Sequence, residues 1–156
     1  MIPARKLVSN KITPILKGVI GRFFMQITRQ ADYAVRAVLY LANMKNGDRA
    51  PTSKIARSQK IPPSFLAKIV SQLSVAGVVQ TSRGARGGVS LARPSANISL
   101  LEVVEAIDGP ITLNECVKDP SACEFRDECS VAEIWCDAQA ELVNRLADTS
   151  FEKLAS

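Results

Sequence analysis

Apolar residues recur at helical spacing in DYAVRAVLYLANM (32–44), where Ala34, Val35, Val38, Leu39, Leu41 and Ala42 form one wide face. That pattern predicts a helix ending at the turn signal Asn46-Gly47-Asp48. A shorter segment follows, in which Thr52 or Ser53 caps a helix carrying Ile55 and Ala56. After KIPP, where proline suits a first helical turn, the run SFLAKIVSQLSVAG (64–77) points Phe65, Leu66, Ile69, Val70 and Leu73 inward. Ser64, Lys68, Ser71 and Gln72 point outward, and Gly77 is placed to end the helix. Two helices joined by a short turn, the second with a small polar outer face, fit a helix-turn-helix.

The pattern then changes period. VVQTS (78–82) and VSLAR (89–93) are β-type runs separated by RGARGG (83–88), a glycine-rich tip bearing Arg83 and Arg86. A hairpin directly after a helix-turn-helix reads as a wing, and arginines at its tip reach phosphates or a narrow minor groove. The tip lacks the Lys-Ser/Thr of a P-loop and precedes a strand, so it does not read as a nucleotide-phosphate cradle. Further on, VAEIWCDAQAELVNRL (131–146) puts Ile134, Trp135, Ala138, Leu142, Val143 and Leu146 on one side of a long helix. A helix of that kind suggests subunit pairing, with packing on its own wing domain as the alternative.

Charge sharpens the division. Residues 25–95 carry eleven Lys and Arg against Asp32 and Asp48, whereas residues 96–156 carry four against thirteen acids. The basic middle is the footprint of polyanion binding. Residues 1–24 add five basic residues and no acid, with apolar positions 12, 15, 16, 19, 20 and 23 in a stripe. That segment is compatible with a membrane-surface helix or a transit-type leader. The abrupt start of the compact pattern at Met25 favours a dispensable or mis-assigned extension. The 156 residues include four cysteines and no histidine, which removes histidine-dependent metal and catalytic sites. No nucleophile–base constellation is visible, so an enzyme is not expected. No apolar run approaches the ~20 residues of a membrane span.

The stretches MQITRQADYAVRAVLYLA (25–42), IARSQKIPPSFLAKIVSQL (55–73), TSRGARGG (81–88) and ISLLEVVEAIDGP (98–110) together resemble the IscR/NsrR-type winged-helix regulators of bacteria. The resemblance runs from Met25 to about residue 147. It implies a mainly α fold with a small β-hairpin wing. Residues 25–97 would form a winged helix-turn-helix domain, 98–129 a linking helix and cysteine sensor loop, and 130–156 a dimerisation helix and tail. It also implies a cytoplasmic homodimer on a palindromic double-stranded DNA operator, acting as a repressor. Ser64, Lys68 and Gln72 are then the groove-facing residues and Arg83 and Arg86 the wing contacts, with Ser53 counted among the DNA-binding positions.

Just after the Glu105–Pro110 stretch lies CVKDPSACEFRDEC (116–129), three cysteines spaced C-x6-C-x5-C. Two disulfides would need an oxidising compartment, for which no secretory signal speaks. Zinc sites commonly use C-x2–4-C knuckles, tighter than this loop. An iron–sulfur cluster has several iron corners, takes thiolate ligands and accepts a looser loop. The spacing lies within the range of cluster-bearing relatives, which implies a [2Fe-2S] or [4Fe-4S] cluster on Cys116, Cys123 and Cys129, sensing nitric oxide, redox or iron–sulfur status. Free thiols acting as a redox switch, or a cluster-free regulator working through a protein partner, remain the alternatives. A cubane needs a fourth ligand. The histidine of the IscR subgroup falls at Ala132 here. The aspartate of the NsrR subgroup, supplied by the other subunit, falls at Asp32, which otherwise reads as a helix N-cap. Cys136 is the rival, and otherwise reads as a buried structural cysteine.

Overall fold

The computed structural model describes residues 27–45, 47–84, 87–119, 121, 123–125 and 128–155. The basic extension at 1–24, Met25 and the wing-tip residue Arg86 lie outside the described residues. Helix α1 (Arg29–Ala42) buries Ala31, Ala34, Ala37, Val38 and Leu41. Thr28 caps it, its hydroxyl accepting from the Ala31 N–H at 3.2 Å. Asp32 is therefore not the cap; it lies one turn in, and helix formation begins three residues before the apolar stripe becomes visible.

Helices α2 (Thr52–Gln59) and α3 (Pro63–Val75) form the helix-turn-helix. Pro51, not Thr52 or Ser53, occupies the cap position of α2, and no side chain caps it. Leu66, Ile69, Val70 and Leu73 are buried, as their spacing predicts. Phe65 is not: it is 45% exposed and sits edge-on to Tyr33 at 6.2 Å between ring centroids. A helix of this length has one buried stripe, and Phe65 stands at its margin. Gly77, at φ +68°, ends α3. Its N–H bonds the Ser74 carbonyl at 3.1 Å and the Val78 N–H bonds that of Leu73 at 2.9 Å. This paired closure satisfies two helix-end carbonyls while burying Val78 against Leu73.

Strands β1 (Val79–Ser82) and β2 (Gly88–Leu91) pair antiparallel, Val79 opposite Leu91 and Ser82 opposite Gly88. Ala50 adds a short bridge to Val89, with two reciprocal 2.9 Å bonds, and so ties the wing to the entrance of α2. Gly88 is required there, because a Cβ would stand 2.6 Å from the Ala50 carbonyl oxygen. A 3-10 turn at Ser95–Asn97 leads to α4 (Leu100–Asp108). Ser99 and Glu102 start α4 as a reciprocal capping box. Burial pushes the Glu102 carboxyl up, but the Ser99 backbone N–H and the Arg93 guanidinium outweigh it and hold the carboxyl below its ordinary value.

The short helix α5 (Glu115–Lys118) opens the cysteine loop, and α6 (Ala132–Ala147) closes it. Unlike the helices before it, α6 carries no buried residue among the described residues. The chain then returns. Ser99 and Ser150 form an isolated bridge, and the Leu100 N–H bonds the Thr149 carbonyl at 2.8 Å. Helix α7 (Phe151–Leu154) drops Phe151, fully buried, into the core shared by α1, α3 and α4. The tail is thus part of the winged-helix core rather than an appendage beyond residue 147. No helix among the described residues is long and apolar enough to cross a membrane.

Candidate functional site

The turn between α2 and α3 is set by backbone geometry. Lys60 adopts the left-handed conformation, φ 53°, which returns the Ile61 N–H to the Ala56 carbonyl at 2.9 Å. Ile61 is buried beneath the turn, and Pro63 begins α3 with its missing donor harmless. On the outer surface, Ser53, Ser64 and Lys68 are exposed, as is Arg83 at the start of the wing tip. Gln72 differs from its outward expectation: it is half-buried, and its Oε1 is buried without a hydrogen-bond partner among the described residues. Sequence reasoning passed over two basic residues here. Lys54 and Arg57 are exposed and line a depression with Ser53 and Ser58. Arg57 and Ser53 also border a larger one of about 690 Å³ between α2 and α3. The available signal was their i, i+3 spacing on the outer side of α2, inside the basic block.

The second feature is built from α5, α6 and the loop between them. Asn114 caps α5: its Oδ1 accepts from the Val117 N–H at 3.1 Å and from the Cys116 thiol at 3.2 Å. Gln139 of α6 grips the approach to that cap, accepting from the Leu113 N–H at 2.9 Å and donating to the Ile111 carbonyl at 2.5 Å. Within the loop, Asp119 accepts from both the backbone and the hydroxyl of Ser121, at 3.0 and 2.6 Å. Between these walls lies a cavity of about 320 Å³ lined by Cys116, Cys123, Cys129, Ala132, Glu133 and Cys136. All four cysteines are free thiols. Cys136 is exposed rather than buried, because α6 stands proud of the core; its reading as a buried structural cysteine is corrected accordingly. Among the described residues, no three His, Cys, Asp or Glu side chains stand close enough to hold one metal ion. Four thiols around one cavity are the soft donor type that iron–sulfur groups take.

Asp32 does not line that cavity in its own subunit. Its side chain is 56% exposed and lies 3.7 Å from Arg36. Arg36 in turn stacks over the Tyr33 ring at 5.1 Å and donates to the Gln59 carbonyl at the end of α2. Asp32 is therefore placed beside the helix-turn-helix.

The family model for Rrf2, described as "Iron-dependent Transcriptional regulator", matches residues 27–156. The chain belongs to the Rrf2 family. Among Rrf2-like sequences, an HTH-type transcriptional regulator named in Mycobacterium tuberculosis is 41% identical over 87 residues, 56% of this chain and 54% of that protein. The chain thus matches about half the length of that relative. Protein aau3 of Rhizobium meliloti is 37% identical over 109 residues, 69% of this chain and 70% of its own. The solved structure of CymR, the global cysteine regulator of B. subtilis, superposes with a TM-score of 0.70 at 25% identity, covering 83% of this chain and 95% of its own. IscR of T. potens shares the fold, with a TM-score of 0.65 at 21% identity over 86% of this chain and 88% of its own. Rrf2 membership makes the chain a winged-helix transcriptional regulator and not an enzyme. It also extends the resemblance through α7, past the residue 147 at which the sequence pattern stops.

Proposed function

We propose that this Rrf2 protein is a homodimeric DNA-binding repressor whose operator affinity is set by an iron–sulfur cluster, [2Fe-2S] or [4Fe-4S], held by Cys116, Cys123 and Cys129. The observation that carries this reading is the convergence of the three loop cysteines on one cavity between α5 and α6. Bound there, the cluster would supply a site reactive toward nitric oxide and oxidants. The chain's own residues do the rest. Gln139 and Asn114 hold Cys116 at the cavity wall. Asp108, at the end of α4, accepts from the Thr28 N–H at 3.0 Å and hydroxyl at 2.6 Å, linking the helix that leads into the cysteine region to the start of α1. Ordering the loop then biases the pose of the two DNA heads only so far as the ordered and disordered loops favour different poses.

On DNA, two copies of α3 enter successive major grooves of a palindromic site, with the wings at the flanking minor grooves. Ser53, Ser64, Lys68 and Arg83 are the contacts this geometry favours, joined by Lys54 and Arg57; Gln72 and Arg86 belong with them by sequence. Arg83→Ala is expected to weaken operator binding about uniformly across sequences. The plot of log affinity against log salt should flatten by about one unit per wing. An unaltered salt slope would remove Arg83 from the interface.

Cys123→Ala is expected to yield a folded protein that holds no iron or sulfide after anaerobic reconstitution and lacks the iron–thiolate absorbance near about 400 nm. A second reading has its own support: the likeness to CymR and the free state of all four thiols suit a cluster-free thiol switch. Wild-type protein that stays iron-free under the same treatment, yet binds its operator and loses affinity on oxidation, would decide for that second reading.

A further inference from the structure

We infer that the fourth protein ligand of the cluster is Cys136, contributed by α6 of the same subunit as the three loop cysteines; this rests on the cluster reading above. Three observations converge. Cys136 lines the same cavity as Cys116, Cys123 and Cys129, whereas Asp32 does not. It is exposed, so its thiol is not committed to the core. It lies one helical turn after Ala132, and the small Ala132 side chain leaves the cavity wall open on that side of α6.

The competing donors are weaker on the same grounds. Glu133 reaches the cavity but offers a hard carboxylate where soft thiolates are preferred. Asp32 is engaged by Arg36 at 3.7 Å and would have to leave that partner and act across a subunit boundary. Ligation by Cys136 would release its proton and add one charge to the site, with no change of oxidation state. A set of four thiolates within one subunit has a further consequence: each protomer holds its cluster without the other, so assembly of the site does not require the dimer.

The test is anaerobic reconstitution of the full chain with ferrous iron and sulfide, comparing wild type with Cys136→Ala, Cys136→Ser, Glu133→Gln and Asp32→Ala. Iron and sulfide per chain, iron–sulfur stretching bands and the rate of iron loss to a chelator are read for each. Because Cys136 is exposed, its variants should melt with the wild type in the metal-free state, separating ligand loss from misfolding. Cys136→Ala is expected to shift the stretching bands and to release iron at least about tenfold faster, as even losing a ligand's hydrogen-bond partner can do. Cys136→Ser should keep more of the cluster with altered bands, and the other two variants should match wild type. Wild-type spectra and release rates in Cys136→Ala, with either change seen in Asp32→Ala or Glu133→Gln, would overturn the assignment while leaving the cluster reading intact. An iron-free wild type would overturn both.

Discussion

Phe151→Ala is expected to destabilise the protein by about 3–5 kcal/mol, the range for truncating a buried phenylalanine. Phe151 is fully buried in the core, its helix packed on α1 and on the 3-10 turn Ser95–Asn97, although it belongs to a four-residue helix at the end of the chain. Its N–H bonds the Ile98 carbonyl at 2.9 Å, and Ser150 caps α7 by accepting from the Lys153 N–H at 3.4 Å. Its loss would leave a hole in a core whose other members, Ile98, Val103 and Val38 among them, are themselves fully buried. The measurement is a urea or guanidinium midpoint at fixed protein concentration, since dimer formation would otherwise add a concentration-dependent term. Leu154→Ala, at a 37% exposed position of the same helix, is the control and should cost far less. Equal midpoints for the two variants would mean that the tail is not part of the core.

The position of Phe151 marks where the chain's pattern stops being informative. Helices α1 and α3, the glycine closure at Gly77 and the hairpin on either side of residues 83–88 were legible because each is governed by a local rule: an apolar period, a left-handed terminal residue, or two alternating runs around glycines. Phe151 obeys no period, since four residues are too few to display one. Its burial depends on a return of the chain to the extended residues Ile98 and Ser99 just before α4. Gln139 is similar: a polar residue on a polar helix face, whose role appears only when residues 111–113 run beside it. Phe65 failed for the opposite reason, because its position in the stripe was right but the stripe is narrower than its apolar residues. Cys136 lies seven residues after Cys129, yet both line one cavity. Separation along the chain thus did not measure distance from the cavity.

Ile134→Asp is expected to convert the protein to a monomer and to lower operator affinity by about 10²–10⁴-fold, the gain that linking two binding modules supplies. Val131, Ile134 and Trp135 follow i, i+3, i+4 spacing on α6 and are 51%, 63% and 43% exposed. Large apolar side chains left in water on one face of a sixteen-residue helix with no buried position are the expected appearance of a subunit interface viewed in one protomer. On the proposed palindromic reading a second copy of α6 is the fitting occupant, because two DNA heads would then be related by two-fold symmetry. Aspartate in the first turn of α6 suits the helix amino end, so the variant should retain its helix and its monomer stability. Ile134 does not line the cysteine cavity, and the thiols stay in place. Sedimentation at micromolar concentration reads the assembly directly, and operator titration at fixed salt reads the lost second half-site. An Ile134→Asp protein that sediments as wild type and binds with wild-type affinity would move the interface off this face of α6. A monomer that kept full affinity would instead show that one head suffices, and the palindromic reading would fall with it.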